Sequence, residues 1–436
     1  MNKLCPETAV PCKSFPAIIT ALALISISFS AESAQAPLTL GDCYAKALAK
    51  SESLAQQGEL SKQAGEKMYQ VVGGLLPSVS AGASYIREDK SDGFDGKPVP
   101  DKPTVKLTAS QPLFRGGREY FGVRQAGKLA DAQKAAEKQS AISLFRDLAQ
   151  GFYAVVSAEQ DLVELDKELE AFDGRIKELQ SRESLGRSRT SEILSAQSAR
   201  ASLLAQKEQV KGQLAVARET LSFLTGLDAG IGLADTAASA TIIEPQENYL
   251  SGISDRPDLI SAKAKSEAAQ AGLWVARCAM LPSLDLVGNY YPVRTGVSQD
   301  IKWDAQIALT MPLFTGGINL SRVREASSID RQGRLEVSRV ERSAEQDIRV
   351  MYSRVAADLA QVDALAQATS LADRNYQEQT SDYRLGLVTN LEVTQALANS
   401  QDTRRSFNRA VYALKADWAV LDAASARRKP PSGGAK

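Results

Sequence analysis

The sequence predicts a tandemly duplicated chain of mixed build. An all-α coiled coil joins a transmembrane β-barrel, and each protomer supplies four strands and long helix hairpins. Three observations carry this. Apolar heptads run through long stretches almost free of proline. Between them lie short proline-marked islands in which apolar and polar residues alternate. The same landmarks then recur 200 residues further along the 436-residue chain.

Residues 1–36 read as a secretory signal peptide. Lys3 and Lys13 supply the positive start, and Ala17 to Phe29 is an apolar run of 13 residues. A spanning helix needs about 20, so the run is too short to cross a bilayer. Cleavage is expected near residues 33–36; Pro37 spoils the Ala34-Gln35-Ala36 site and leaves Ser33 as an alternative. An uncleaved anchor is the other reading. No later stretch holds 18 consecutive apolar residues. A soluble envelope protein and an outer-membrane barrel both fit that pattern.

The first repeat occupies residues 37–244. It opens with a helix ending at Pro77 and continues into a β-hairpin at 77–113. There Val79, Ala81, Ala83 and Tyr85 alternate with Ser78, Ser80, Gly82 and Ser84, and Val105, Leu107 and Ala109 alternate with Lys106, Thr108 and Ser110. A loop from Glu88 to Lys102 joins them. A long helix hairpin follows at 117–226. Phe145, Leu148, Phe152, Val155, Leu162, Leu165, Leu169, Phe172, Ile176 and Leu179 form an a/d seam over five heptads. A helix from Gly117 to Ser184 would run on the order of 100 Å. Leu185 to Thr190 makes the turn, and a second seam returns through Ile193, Ala196, Leu203, Val210, Leu214, Ala217, Leu221 and Leu224.

The second repeat, 245–425, copies the first: a helix, a β-hairpin at 282–313 and a long helix hairpin at 317–424. Pro112-Leu113-Phe114-Arg115-Gly116-Gly117 recurs as Pro312-Leu313-Phe314-Thr315-Gly316-Gly317, and Leu185-Gly186 as Leu385-Gly386. Ala229 to Glu247 links the repeats. Residues 426–436, rich in Arg, Pro and Gly, read as a disordered tail.

Composition removes whole classes of function. There is no His, so His-based acid–base catalysis, Ser-His-Asp nucleophiles and His-ligated metals are excluded. Fifty-two basic residues balance 52 acidic ones, which argues against a nucleic-acid partner. No GxGxxG, P-loop or GxSxG motif occurs. The chain is therefore not expected to be an enzyme; no catalytic residue, cofactor or metal is assigned.

The strands are long enough to cross a bilayer when tilted. One face carries Lys106, Asp285, Lys302 and Asp304, as a watery lumen would require; the apolar face has Tyr85, Tyr290 and Trp303 near the loop ends. Four strands cannot close a barrel, and open sheet edges are forbidden in lipid. Copies of the chain must therefore share one barrel in outer-membrane lipid.

With these landmarks in order, from Leu38 to about Ala424, the chain resembles the TolC family of outer-membrane efflux channels (outer membrane factors). The duplicated Leu-Pro-Ser and Pro-Leu-Phe-x-Gly-Gly motifs carry the resemblance. Arg256-Pro257-Asp258-Leu259, Tyr383-Arg384-Leu385-Gly386 and Glu392-Val393 add to it. It implies a homotrimeric channel with a twelve-stranded barrel and a twelve-helix periplasmic tunnel. It further implies passive export, with a periplasmic adaptor (membrane fusion) protein and an inner-membrane transporter of RND or ABC type as partners. The runner-up is a periplasmic coiled-coil scaffold, which leaves the two matched amphipathic hairpins without a purpose.

The resemblance also places a periplasmic gate at the helix turns. Glu392 and Glu192 would line it, Gln395 stands where a second acid is common, and Tyr383 would tie neighbouring hairpins. Arg187 and Arg189 are the candidate partners that hold it shut. Equally, Glu192 and Glu392 are first-turn acids favoured by the helix dipole. Leu185, Gly186, Leu385, Gly386 and Leu387 are candidates for adaptor docking, or routine helix caps. Pro112, Gly116, Gly117, Pro312, Gly316 and Gly317 form the strand–helix junctions, where Gly permits the turn and Pro ends the ladder. Cys43 and Cys278 should lie on the order of 45 Å apart along their helices, beyond disulfide reach, and are expected as buried free thiols.

Overall fold

The computed structural model describes residues 37–89, 101–237 and 242–425. The signal-peptide and tail readings, and the centre of the first hairpin loop, lie outside the described residues.

The first repeat starts with α1 (Leu40–Lys50), whose N-terminus is closed by a Thr39–Asp42 capping box. It does not run on to Pro77 as a single helix. Ser51 takes extended backbone and its hydroxyl accepts the Leu54 N–H, so a separate α2 (Glu52–Gly73) begins there. Strands β1 (Ser78–Arg87) and β2 (Asp101–Arg115) follow, then α3 (Arg118–Ser184) and α4 (Thr190–Thr225). The second repeat has α5 (Gln246–Leu250), a 3₁₀ turn, α6 (Pro257–Cys278), β3 (Ser283–Val293), β4 (Trp303–Thr310), α7 (Ile318–Leu385) and α8 (Asn390–Ala424). Arg256, buried ahead of α6, joins the second repeat's start to the end of α8. It donates to the Ala424 carbonyl at 3.3 Å and to Asp258 and Asp347.

All four strands form one antiparallel sheet in the order β1-β2-β3-β4. Register puts Ala81, Leu107, Tyr290 and Trp303 in one row and Val79, Ala109, Gly288 and Ala305 in another. The opposite face carries the row Ser80, Thr108, Asn289 and Asp304, with Thr108 donating to Asn289 and Asn289 to Asp304, both at 2.8 Å. One face is thus apolar and the other a hydrogen-bonded polar ladder. The apolar face is not folded onto the helices: β1 is exposed throughout, as are Trp303, Ile307 and Leu309.

Proline ends the ladder at only one junction. β4 stops at Thr310, before Pro312. Pro112, by contrast, stays inside β2 opposite Asp285, and the register slips between Pro112 and Phe114. The bulge accommodates a residue with no N–H to donate.

Helices continue the lateral order of the strands. The N-terminal half of α3 packs between α2 and α6, through Gln57–Gln133, Ser261–Ala132 and Phe121–Trp274 contacts. Its C-terminal half lies between α4 and α8, through Arg200–Asp173 and Arg409–Asp161. α7 packs on α6 and then on α8. Edge helices are correspondingly bare: α2 buries no residue, and α7 buries few along its length. Around mid-height Cys43, Tyr44, Phe145, Leu148, Phe152 and Leu221 make one core cluster. Cys43 and Cys278 are buried free thiols, and burial pushes the Cys43 thiol up to about 11.

Candidate functional site

The expected site residues fall into two groups, separated by a helix about 100 Å long. One is the pair of helix turns, the other the pair of strand–helix junctions.

At the turns the chain must reverse direction within a few residues. Gly186 (φ +70°) and Gly386 (φ +78°) take the left-handed conformation that this requires. Leu387 N–H reaches back to the Asp382 carbonyl at 2.9 Å, and Arg187 N–H to Arg182 at 2.8 Å, so both turns close the same way. Leu185, Leu385 and Leu387 project outward, about 70% exposed (68%, 74% and 70%).

Beneath the turns the two repeats share one core of Ile176, Leu179, Ile193, Ala196, Tyr383 and Val393. Two guanidinium groups of the first repeat lie over the Tyr383 ring, Arg175 at 4.1 Å and Arg182 at 4.5 Å from its centroid. Arg175 is itself buried; it donates to Asn390 Oδ1 at 2.9 Å and to Glu178 at 2.7 Å. Among the described residues neither Arg187 nor Arg189 pairs with Glu192 or Glu392. Within one chain, the arginines that reach the second repeat's turn are Arg175 and Arg182.

Both acids are held by their own helix starts. Glu192 accepts from the Ser188 hydroxyl at 2.7 Å. Glu392 completes a capping box, accepting the Thr389 N–H at 2.6 Å and its hydroxyl at 2.9 Å. The N–H contact first, then the hydroxyl, holds the Glu392 carboxyl below its usual range. Its side chain is nonetheless exposed, as is Gln395 one turn on.

A feature absent from the sequence reading lies along α3. Asp161, Glu164, Glu168 and Arg175 are buried and stand one residue before Leu162, Leu165, Leu169 and Ile176 of the apolar seam. They form a second, charged seam with the same heptad spacing. Arg409 of α8 holds Asp161, Arg405 lies 3.8 Å from Glu168, and Asn390 meets Arg175. Charge at a/d spacing beside an apolar seam was the available signal; read alone it looks like a solvated face.

At the junctions Gly116 (φ +67°), Gly117 (φ +81°), Gly316 (φ +61°) and Gly317 (φ +83°) turn the chain from strand into helix. Arg115 binds Asp285 across β2 and β3 at 3.0 Å, bracing the first junction. The described residues hold no cluster of acids or thiols arranged for a metal, and no helix long and apolar enough to cross a membrane.

The comparisons with known proteins agree with this geometry. A family model described as outer membrane efflux protein matches residues 43–227 and 252–427, one segment in each repeat. The outer membrane efflux protein BepC of Brucella suis is 22% identical over 304 residues, 67% of this chain and 65% of that protein. The alignment thus spans just under two thirds of that relative. The outer membrane protein TolC of Vibrio cholerae is 22% identical over 352 residues, 78% of this chain and 79% of its own length. The solved structure of the outer membrane protein VceC from Vibrio cholerae superposes with a TM-score of 0.79 at 18% identity, covering 88% of this chain and 95% of that one. The family match across both repeats makes this chain a member of the outer membrane efflux protein family, TolC-like and of the outer membrane.

Proposed function

We propose that three copies of this chain close into one channel that gives passive export across the outer membrane. One observation carries the reading: sheet and helix layers are both open at two edges. β1 with α2 and α4 ends one side; β4 with α7 ends the other. Unpaired strand edges cannot remain in lipid, and four strands are half of the smallest closed barrel, so each β4 must meet the β1 of another copy. In this reading residues 1–36 direct secretion and are removed, residues 37–244 and 245–425 are the two repeats, and no chemistry is performed on the cargo.

Substrate arrives at the helix turns. A periplasmic adaptor docks on Leu185, Leu385 and Leu387 around Gly186 and Gly386, and an inner-membrane transporter of RND or ABC type supplies the cargo. Glu392, Glu192 and Gln395 line the entrance, Tyr383 holds the two repeats of each chain together, and Arg187 with Arg189 reaches a neighbouring copy. The scaffold alternative gives the exposed apolar sheet face no purpose.

Membrane fractionation with unheated gel electrophoresis tests the assembly. A trimer-sized species in the outer membrane that forms ion-conducting pores in planar bilayers is the expected result. A soluble monomer or dimer overturns the proposal.

A further inference from the structure

A cavity of about 400 Å³ opens where α4 and α8 diverge above α3. Glu168 and Phe172 form its floor, Ser202 and Gln206 one wall, and Asp402 and Arg405 the other. Glu168 is only 2% exposed, yet its Oε2 has no hydrogen-bond partner. Arg405 Nε, facing it at 3.8 Å, has none either. That separation exceeds a hydrogen bond. The rest of the guanidinium is engaged elsewhere: it donates to Gln206 of α4 at 3.0 Å and to Asp402 of α8 at 3.3 Å.

Few other charges reach Glu168. On its own helix Asp161 is held by Arg409 and Glu164 by Lys167. On α8, Asp402 and Arg405 face it, and Arg409 belongs to Asp161. α4 presents uncharged Ser202 and Gln206, and its Lys207 is drawn to Asp166. A neutral Glu168 carboxyl tolerates an Arg405 whose Nε stays beyond hydrogen-bond reach. An ionised one is a buried charge whose counterion is occupied by weaker partners, an expensive arrangement.

We propose that Glu168 and Arg405 form a proton-set switch between the repeats. With Glu168 protonated, Arg405 ties α8 to α4 through Gln206; with Glu168 ionised and its proton released to water, Arg405 turns to α3 and α4 is freed. The arrangement seen, with Arg405 on Gln206 and Asp402 and its Nε beyond hydrogen-bond reach of Glu168, is the one assigned here to the protonated form. α4 and α8 otherwise touch little, so the Arg405–Gln206 bond is their main polar link here. Burial, against the pull of Arg405, raises the Glu168 carboxyl to about 7, which places both forms within the range the cell envelope meets. The neighbouring Asp402 and Asp161 charges push the same way as burial.

The test is a distance within one chain, so it stands apart from the export reading. Spin labels on Ser202→Cys and Asn399→Cys flank the cavity from α4 and α8; Cys43 and Cys278 are buried and stay unlabelled, and Cys5 and Cys12 are replaced by Ser. In the full-length protein reconstituted in lipid, the label separation should lengthen as pH rises, with a midpoint at about 7. Glu168→Gln should hold the short distance at every pH, and Gln206→Ala the long one. Where Glu168→Gln fails to assemble, Asp402→Asn removes a charge that raises Glu168 and frees Arg405. The midpoint should then fall by roughly half a pH unit. A separation that ignores pH in the unmodified protein, a Glu168→Gln protein that still follows pH, or a midpoint unmoved by Asp402→Asn overturns the proposal.

Discussion

Arg175 of α3 stacks 4.1 Å from the Tyr383 ring of α7 while donating to Asn390 of α8, so one side chain of the first repeat grips both helices of the second. A buried hydrogen bond to a charged group is worth about 1.5–3 kcal/mol and a desolvated cation–π contact about 2. Arg175→Ala should therefore weaken the join between repeats by about 2–3 kcal/mol, on the order of a hundredfold in the closed-to-open ratio. Planar-bilayer recording should find a raised open probability. Arg182→Ala, which removes a partly exposed partner at 4.5 Å, should have a smaller effect. Equal effects from the two would show that the buried hydrogen bond to Asn390 adds nothing.

Within one chain the duplicated junction glycines differ in their surroundings. A Cβ on Gly116 would lie 2.7 Å from Leu281 Cβ and 2.8 Å from the Cys278 carbonyl, whereas one on Gly316 meets nothing within 4 Å. Both residues have positive φ, so either Ala substitution costs about 1–2 kcal/mol of backbone strain. Only Gly116→Ala adds a clash with backbone that cannot give way. Thermal stability of the folded chain before assembly should fall severely in Gly116→Ala and slightly in Gly316→Ala, whose surroundings within one chain are open. The reverse order would contradict the packing at the first junction.

Neighbouring positions on β4 face opposite solvents. Ile307 lies on the apolar face in register with Leu286; Gln306, beside it, shares the polar face with Asp304. A Lys at a lipid-facing midplane position costs about 2–4 kcal/mol, while lumen positions tolerate charge. Ile307→Lys should deplete the heat-modifiable trimer, and Gln306→Lys should leave it intact while lowering cation conductance. A soluble scaffold would tolerate both.

What could be read from residue order was what repeats. Period two in the islands and period seven in the helices survive folding because each follows directly from strand and helix geometry. The turn at Leu185-Gly186 and the family resemblance were legible for the same reason. Three things were not. Ser51 breaks a helix through its own side chain, although its neighbours favour continuation. Pro112 stays in a strand because a bulge forms opposite Asp285, which depends on a partner strand about 170 residues away. The charged seam through Asp161, Glu168 and Arg175 is buried only because Arg409, Arg405 and Asn390 arrive from the other repeat. At Pro112 and along the charged seam a distant contact decides; at Ser51 a local cap outweighs the helix preference of its neighbours.

Glu392 raises the sharpest question, because it caps a helix and faces solvent at the proposed entrance. Its carboxyl is held below the ordinary value of 4.5 by the Thr389 N–H and hydroxyl. A depressed value means the cap's contribution is complete above that ordinary value and fades as pH falls through the folded one. The first turn of α8 should therefore fray only in acid. The two roles separate by chemistry. Glu392→Gln keeps an oxygen that can accept the Thr389 N–H but removes the charge; Glu392→Ala removes both. Amide exchange at Val393 should be near normal in the Gln variant and faster in the Ala variant at neutral pH. Cation preference in bilayers should fall in both variants, because a lining role depends on charge alone. If Glu392→Gln leaves the cation preference untouched, Glu392 is a helix cap and the entrance is lined by other residues.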